Sequence, residues 1–168
     1  MTAPVLTGLG PLLSPQTRLL ILGSFPGVAS LTAQQYYGHP QNHFWKILQA
    51  LWPQDPLPGR DDYAARCRWL LDKKLGVWDV YAACEREGSL DSAIRAAVVN
   101  DFAAVTMQCP ALEAIAHNGG ESFKHARHTL ALGLPVYKLP STSPANASWS
   151  FDRKLAAWRE VFEKHELI

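Results

Sequence analysis

"RLLILG", Arg18 to Gly23, is the stretch that decides the fold. The apolar residues Leu19 to Leu22 run without a break and stop at a glycine. A strand with one wet face alternates apolar and polar side chains. A continuous apolar run belongs to a strand covered on both faces, as in a parallel sheet. Three further segments read the same way: "GVWDVY" (Gly76–Tyr81), "LEAIAHN" (Leu112–Asn118) and "LPVYKL" (Leu134–Leu139).

Helical patterns fill the intervals. In "NHFWKILQAL" the residues Phe44, Ile47, Leu48 and Leu51 fall on one helical face, and Asn42 is a suitable N-cap. "DDYAARCRWLLDKKLG" reads as a helix stopped by Gly76. "ACEREGSLDSAIR" reads as a polar loop leading into a short helix, and "NDFAAVTMQCP" as a helix ending before Pro110. Gly119 and Gly120 turn the third strand into a helix reaching about Leu132. "FDRKLAAWREVFEKHEL" closes the series with Leu155, Trp158, Val161 and Phe162 on one face. Strands alternating with helices predict an α/β protein: a three-layer α/β/α sandwich around a central, mainly parallel four-stranded sheet.

Composition bounds the rest. The 168 residues, 48% hydrophobic, suit one domain spanning 1–168. Only 18% are charged and the net charge is +1, which argues against a dedicated polyelectrolyte binder but leaves room for a local basic face. Cys67, Cys84 and Cys109 match no zinc or haem spacing and read as thiols in a reducing cytosol. Prolines and glycines break the opening "MTAPVLTGLGPLLSPQTR", so no secretory leader is expected, and no run of about 18 apolar residues predicts a membrane span. The expectation is a cytoplasmic monomer without cofactor or metal.

Ligands of such sheets sit beyond the carboxyl ends of the strands. "GSFPG" (Gly23–Gly27), "HNGG" (His117–Gly120) and "PSTSPAN" (Pro140–Asn146) all fall there. Each has a plain alternative as a turn. "GSFPG" is neither a dinucleotide fingerprint, nor a P-loop, nor a nucleophile elbow. Asn118 either shapes a turn or reads a base edge with its amide. Ser141, Thr142 and Ser143 either cap the last helix or bind phosphate oxygens. "QQYYGHPQNHFW" (Gln34–Trp45) is dense in rings and amides without periodicity, as in a core knot or a pocket wall.

In that order, "GSFPG", "YYGHPQNHFW" and "PSTSPAN" resemble the uracil-DNA glycosylase superfamily, and most closely its hypoxanthine-DNA glycosylase branch. The mismatch-specific uracil/thymine branch is similar through "HPQNHFW". The resemblance implies a monofunctional N-glycosyl hydrolase of base excision repair, acting on deaminated bases in DNA, with hypoxanthine first and uracil second. It also implies site residues. In thymine- and mismatch-acting members the residue before the motif-one proline is asparagine, and in uracil-acting members aspartate. Here it is Phe25, which cannot position water, and the resemblance moves that task to Asn42. Leu139 stands where uracil-acting members carry a base-stabilising histidine.

Gly23, Ser24, Phe25, Tyr37 and Asn118 are then expected to bind the base, with Tyr37 as stacking platform in preference to Tyr36 or Phe44. Ser141, Thr142 and Ser143 are expected on DNA phosphates. Asn42 would orient water without acting as a base, because an amide is not basic near neutrality. Phe25 and Leu139 favour an alternative: a weak or inactive nucleic-acid or damaged-base binding module on the same fold. A third reading is an enzyme of free nucleosides.

Overall fold

A computed structural model describes residues 5–168 of the chain. Residues 1–4, the start of the proline- and glycine-broken N-terminal stretch, lie outside the description. The central sheet contains β2 (Leu19–Gly23), β3 (Leu75–Asp79), β6 (Ala114–Asn118) and β7 (Val136–Leu139), in the order β3-β2-β6-β7. All three pairings are parallel, with Leu19 opposite both Leu75 and Ala114. The expected four-stranded parallel sheet is thus present, each strand shorter than the segment quoted for it.

β2 lies inside the sheet and every one of its residues is buried. Its side chains alternate between two cores. Leu19 and Ile21 enter one with Phe44, Ile47, Leu48, Trp69, Trp158 and Phe162. These come from α2 (Phe44–Leu51), α3 (Tyr63–Asp72) and α7 (Phe151–Lys164). Leu20 and Leu22 enter the other with Phe25, Tyr81, Cys84, Phe102 and Val105. Each fully buried leucine or isoleucine contributes about 1.5–3 kcal/mol relative to exposure. That is why the "LLIL" run tolerates no polar residue.

The second face differs from expectation. A small antiparallel sheet covers part of it, formed by β1 (Val5–Thr7), β4 (Tyr81–Glu85) and β5 (Arg95–Val99) in the order β1-β4-β5. "ACEREGSLDSAIR" is therefore not a loop into a helix. It holds most of β4, a 3-10 turn at Asp91–Ala93 and the start of β5. The β4–β5 pairing contains register shifts, and Ala96 has φ 51, so the alternation that marks a strand is broken here.

Other helices are also shorter than the patterns suggest. Among these, α1 (Val28–Ala33) follows "GSFPG" and α4 (Val105–Gln108) is the remnant of the "NDFAAVTMQCP" segment. The helix expected after Gly120 is split into α5 (Gly120–Phe123) and α6 (Ala126–Leu130). The split carries a buried histidine. His117 Nδ1 and Ser122 Oγ lie 2.8 Å apart, as do His117 Nε2 and Thr129 Oγ1. Ser122 Oγ donates to the Leu22 carbonyl, so it accepts from Nδ1–H, while Thr129 Oγ1, which meets Nε2, also reaches the Ala126 carbonyl at 3.0 Å. Burial pushes the imidazole pKa down to about 4 and keeps it neutral.

Gly76 is not the stop of a helix. The helix before it ends at Asp72, and Lys74 makes the left-handed turn at φ 64. Gly76 lies inside β3, where the segment at Leu12 crosses and bridges to Val77. A Cβ at Gly76 would sit 2.6 Å from Leu13 Cδ2 and 2.9 Å from Thr17 Cγ2. Gly76→Ala is therefore expected to cost about 1–3 kcal/mol in denaturant unfolding through overpacking, with no gain from a longer helix.

Candidate active site

The carboxyl end of β2 leads directly into Gly23. A Cβ there would lie 2.5 Å from Asp79 Oδ1 and 3.2 Å from Tyr37 Oη. The glycine is thus required by close approach of two functional groups rather than by its backbone angles. Ser24 follows; its hydroxyl donates to Asp91 Oδ1 at 2.6 Å, and its carbonyl accepts from Tyr81 N–H at 3.0 Å.

Tyr37 reaches this point from the loop after α1. Its backbone has φ 53, a left-handed conformation rare for an aromatic residue. Its ring stacks on Phe44, centroids 3.9 Å apart and planes 22° from parallel. Phe44 is fully buried, so the core holds one face of the Tyr37 ring. Tyr36 is instead a structural residue: it is buried and its hydroxyl donates to the Gly10 carbonyl at 2.5 Å.

Asn118, at the end of β6, joins the loops. Its Nδ2 donates to Tyr37 Oη at 3.1 Å and to Thr142 Oγ1 at 3.0 Å, while its Oδ1 accepts from Thr142 N–H at 3.0 Å. The Thr142 carbonyl accepts from His43 N–H at 2.9 Å, which places Asn42 next to the second loop. Gly23, Tyr37, Asn118, Thr142 and Asn42 are thereby brought together from four separate stretches of chain.

Several expected side-chain roles meet obstacles in this geometry. Both N–H donors of Asn118 are occupied, leaving only spare acceptor capacity at Oδ1 for a base. Thr142 is 1% exposed, so its hydroxyl serves Asn118 and has no route to an external phosphate. The Phe25 ring is buried in the second core beneath the Arg86 guanidinium, 5.3 Å from its centroid. Ser141 and Ser143 are different. Both are half-buried and their hydroxyls accept from the N–H groups of Ser143 and Ala145, so their O–H bonds are available to a ligand.

Asn42 is half-buried, and its Oδ1 accepts from Phe44 N–H at 2.9 Å. The N-cap position of α2 is His43, which makes no side-chain capping bond; Asn42 stands one residue before it and holds the first helical N–H in an Asx-type turn. This turn uses one lone pair of the amide and leaves Nδ2 and the second lone pair for water. From behind, buried Lys154 holds this region: its Nζ lies 3.2 Å from His43 Nδ1 and donates to the Ser143 carbonyl at 3.3 Å. Burial lowers the pKa of both groups, and the Lys154 charge further lowers that of His43. Neutral His43 therefore accepts at Nδ1 and carries its proton on Nε2.

Sequence reading passed over a set of charged groups. Asp79 ends β3 in register with Gly23, is 5% exposed, and its Oδ2 meets no donor. Burial, with help from the Asp91 charge and against that of Arg86, raises its pKa to about 7. Arg86 is 1% exposed; its Nη2 donates to the Pro26 carbonyl at 2.6 Å, and Nε and Nη1 have no partner. The signal for Asp79 was an acid closing the otherwise apolar strand "LGVWD".

A carboxyl whose pKa is raised on folding opposes the folded state once ionised. Its contribution is intact below its unfolded value near 3.8 and is lost as pH rises to about 7. Asp79→Asn is accordingly expected to be more stable than the parent by ~2–4 kcal/mol above neutrality. That advantage shrinks at acid pH, as denaturant titrations across pH will show.

Comparison with known proteins agrees with this geometry. Residues 11–162 match the family model of the uracil DNA glycosylase superfamily. A hypoxanthine DNA glycosylase of Methanosarcina barkeri is 35% identical over 157 residues, covering 94% of this chain and 98% of that protein. Its counterpart in Methanosarcina acetivorans is 34% identical over 155 residues, covering 92% and 96%. A solution NMR structure from M. acetivorans, provisionally assigned as a uracil DNA glycosylase, superposes with a TM-score of 0.84. It is 34% identical, with 97% and 99% of the two chains covered. With the family model spanning both rim loops and the parallel sheet between them, the chain belongs to the uracil DNA glycosylase superfamily.

Proposed function

We propose that this protein excises deaminated bases from DNA, with hypoxanthine as its first substrate, by hydrolysing the N-glycosidic bond. The observation that carries the reading is the convergence of Gly23, Tyr37, Asn42 and the Ser141–Ser143 loop, tied by Asn118 and Thr142. Two relatives named for hypoxanthine, about one third identical over nearly their whole length, support the choice of base.

A base inside a duplex is out of reach of such a rim, so the nucleotide must be flipped out. That costs a few kcal/mol and is cheapest at a mismatch, which favours damaged positions before any contact is made. The base would pack by Tyr37, whose ring is stacked on the fully buried Phe44 ring. A preformed stack loses little entropy on binding. Backbone groups of Gly23 to Phe25 and the spare acceptor of Asn118 would meet its edge. Ser141 and Ser143 would donate to the flanking phosphates. Asn42 would orient the attacking water through the part of its amide not bonded to Phe44 N–H.

Two outcomes test this reading. Incubating excess protein with duplexes carrying hypoxanthine, uracil, xanthine or mismatched thymine, then cleaving abasic sites with alkali, should show hypoxanthine released. No release from any of them sinks the proposal. Asn42→Ala should slow single-turnover release about 10²-fold through mispositioned water and lose about 1 kcal/mol of stability with the hydrogen bond to the Phe44 N–H. Asn42→Ser restores an acceptor for Phe44 N–H and should recover the stability but not the rate. A rate unchanged in Asn42→Ala would remove the residue from the mechanism. Binding through neutral hydroxyls also predicts a shallow salt dependence. A plot of log affinity against log salt should fall less steeply than the roughly −0.9 per phosphate contact of a lysine-based site.

A further inference from the structure

Among the described residues, Asp79 is the buried carboxyl with an oxygen that meets no donor. Leaving such a group unsatisfied costs about 1–3 kcal/mol, and the fold does nothing to relieve it. No salt bridge reaches it, although Arg86 is close enough to lower its pKa. It stands at the carboxyl end of β3, opposite Gly23. Asp79 Oδ1 and Tyr37 Oη lie 2.5 and 3.2 Å from where a Gly23 Cβ would be, so the carboxyl takes the place of a side chain there.

The side chains that end the neighbouring strands offer no free proton. Asn118 has spent both of its N–H bonds, and Ser24 donates to Asp91. Leu139, at the end of β7, is buried and has nothing to donate. A purine leaving the sugar takes the bonding electron pair with it, so the site needs a group that can donate a proton to it.

We propose that Asp79 is the catalytic acid that hydrogen-bonds to the departing base and protonates it, with Gly23 leaving room for its carboxyl. The proposal rests on the glycosylase reading. The C1′–N9 bond breaks and its electron pair goes to the purine. The Asp79 proton goes to an acceptor atom of that purine. Water adds its oxygen to C1′ and releases one proton to solvent, from which Asp79 is reprotonated once the base has gone. The sum is nucleoside plus water giving sugar hydroxyl plus free base.

The surroundings favour the acid form. Arg86 and Asp91, which follow β4, act on Asp79 with opposite sign, and Tyr36 and Tyr37 contribute neutral phenols from the loop after α1. The net result is a group poised near pH 7, where a general acid works best.

The test is single-turnover release of hypoxanthine from duplex DNA across pH, for the parent protein, Asp79→Asn and Asp79→Ala. The parent rate should be level on the acid side of about pH 7 and fall up to about tenfold per unit above it. Asp79→Asn, folded by circular dichroism, should be about 10²-fold slower at acid pH and lack the inflection, with Asp79→Ala slower still. A level parent profile, which needs no variant to observe, overturns the proposal. So does an Asp79→Asn variant that keeps the parent rate or the parent inflection. Release by the parent together with either result removes only the role of Asp79. No release by the parent on any base removes the glycosylase reading beneath it.

Discussion

Asn118 makes three hydrogen bonds, and the rim of this protein depends on them. Its carbonyl and amide close a two-point contact with Thr142, backbone and side chain together, and its remaining N–H reaches the Tyr37 hydroxyl. The groups are buried or nearly so, where hydrogen bonds are strong and unpaired partners are costly. Strand β6 thus fixes, in one side chain, the position of a loop that precedes it by 81 residues and one that follows it by 24. Tyr37 can hold a left-handed backbone angle because its hydroxyl is caught here and its ring is clamped on Phe44. The sheet supplies the platform, and Asn118 turns two flexible connections into fixed walls.

The charged side of the site follows a different logic. Asp79 and Arg86 are buried with unpaired atoms on both, and no direct ion pair joins them. Cores do not retain such groups for stability, since apolar replacements of similar volume are often neutral or better. Arg86 also orders the motif-one turn through the Pro26 carbonyl and the Phe25 ring. Phe25 therefore contributes as a ring packed between the turn and a cation, on the side away from Tyr37 and Asn118.

The fold was legible where one physical signal dominated. "LLIL" had to be a strand buried on both faces, and its alternate entry into two cores follows from the pleat. The α2 face was equally plain, and the Asn42 cap was misplaced by one residue, since His43 holds the N-cap position. The small antiparallel sheet was not, because its β4–β5 pairing is irregular and β5 is largely exposed. Gly76 misled because a glycine after a helical pattern usually stops it, whereas here a crossing segment excludes any side chain. At the site, residue types and their order singled out loops that the structure brings to one rim. They could not show that Thr142 and Asn118 face each other, because that pairing is a long-range contact with no local trace. Asp79 was hidden within an apolar strand pattern, and only its burial makes it conspicuous.

Lys154 gives the arrangement a temporal consequence. Its ammonium group props both the His43 and Ser143 segments, and Trp158, one turn further along α7, donates to the Pro140 carbonyl at 3.1 Å. The second rim loop is therefore held by the last helix of the described chain as well as by Asn118. During synthesis the strands β2, β3, β6 and β7 all leave the ribosome before α7 does. A nascent chain can thus pair its central sheet while its rim is still loose. The rim is completed when α7 docks on a sheet that can already be paired, rather than growing in proportion to the folded core.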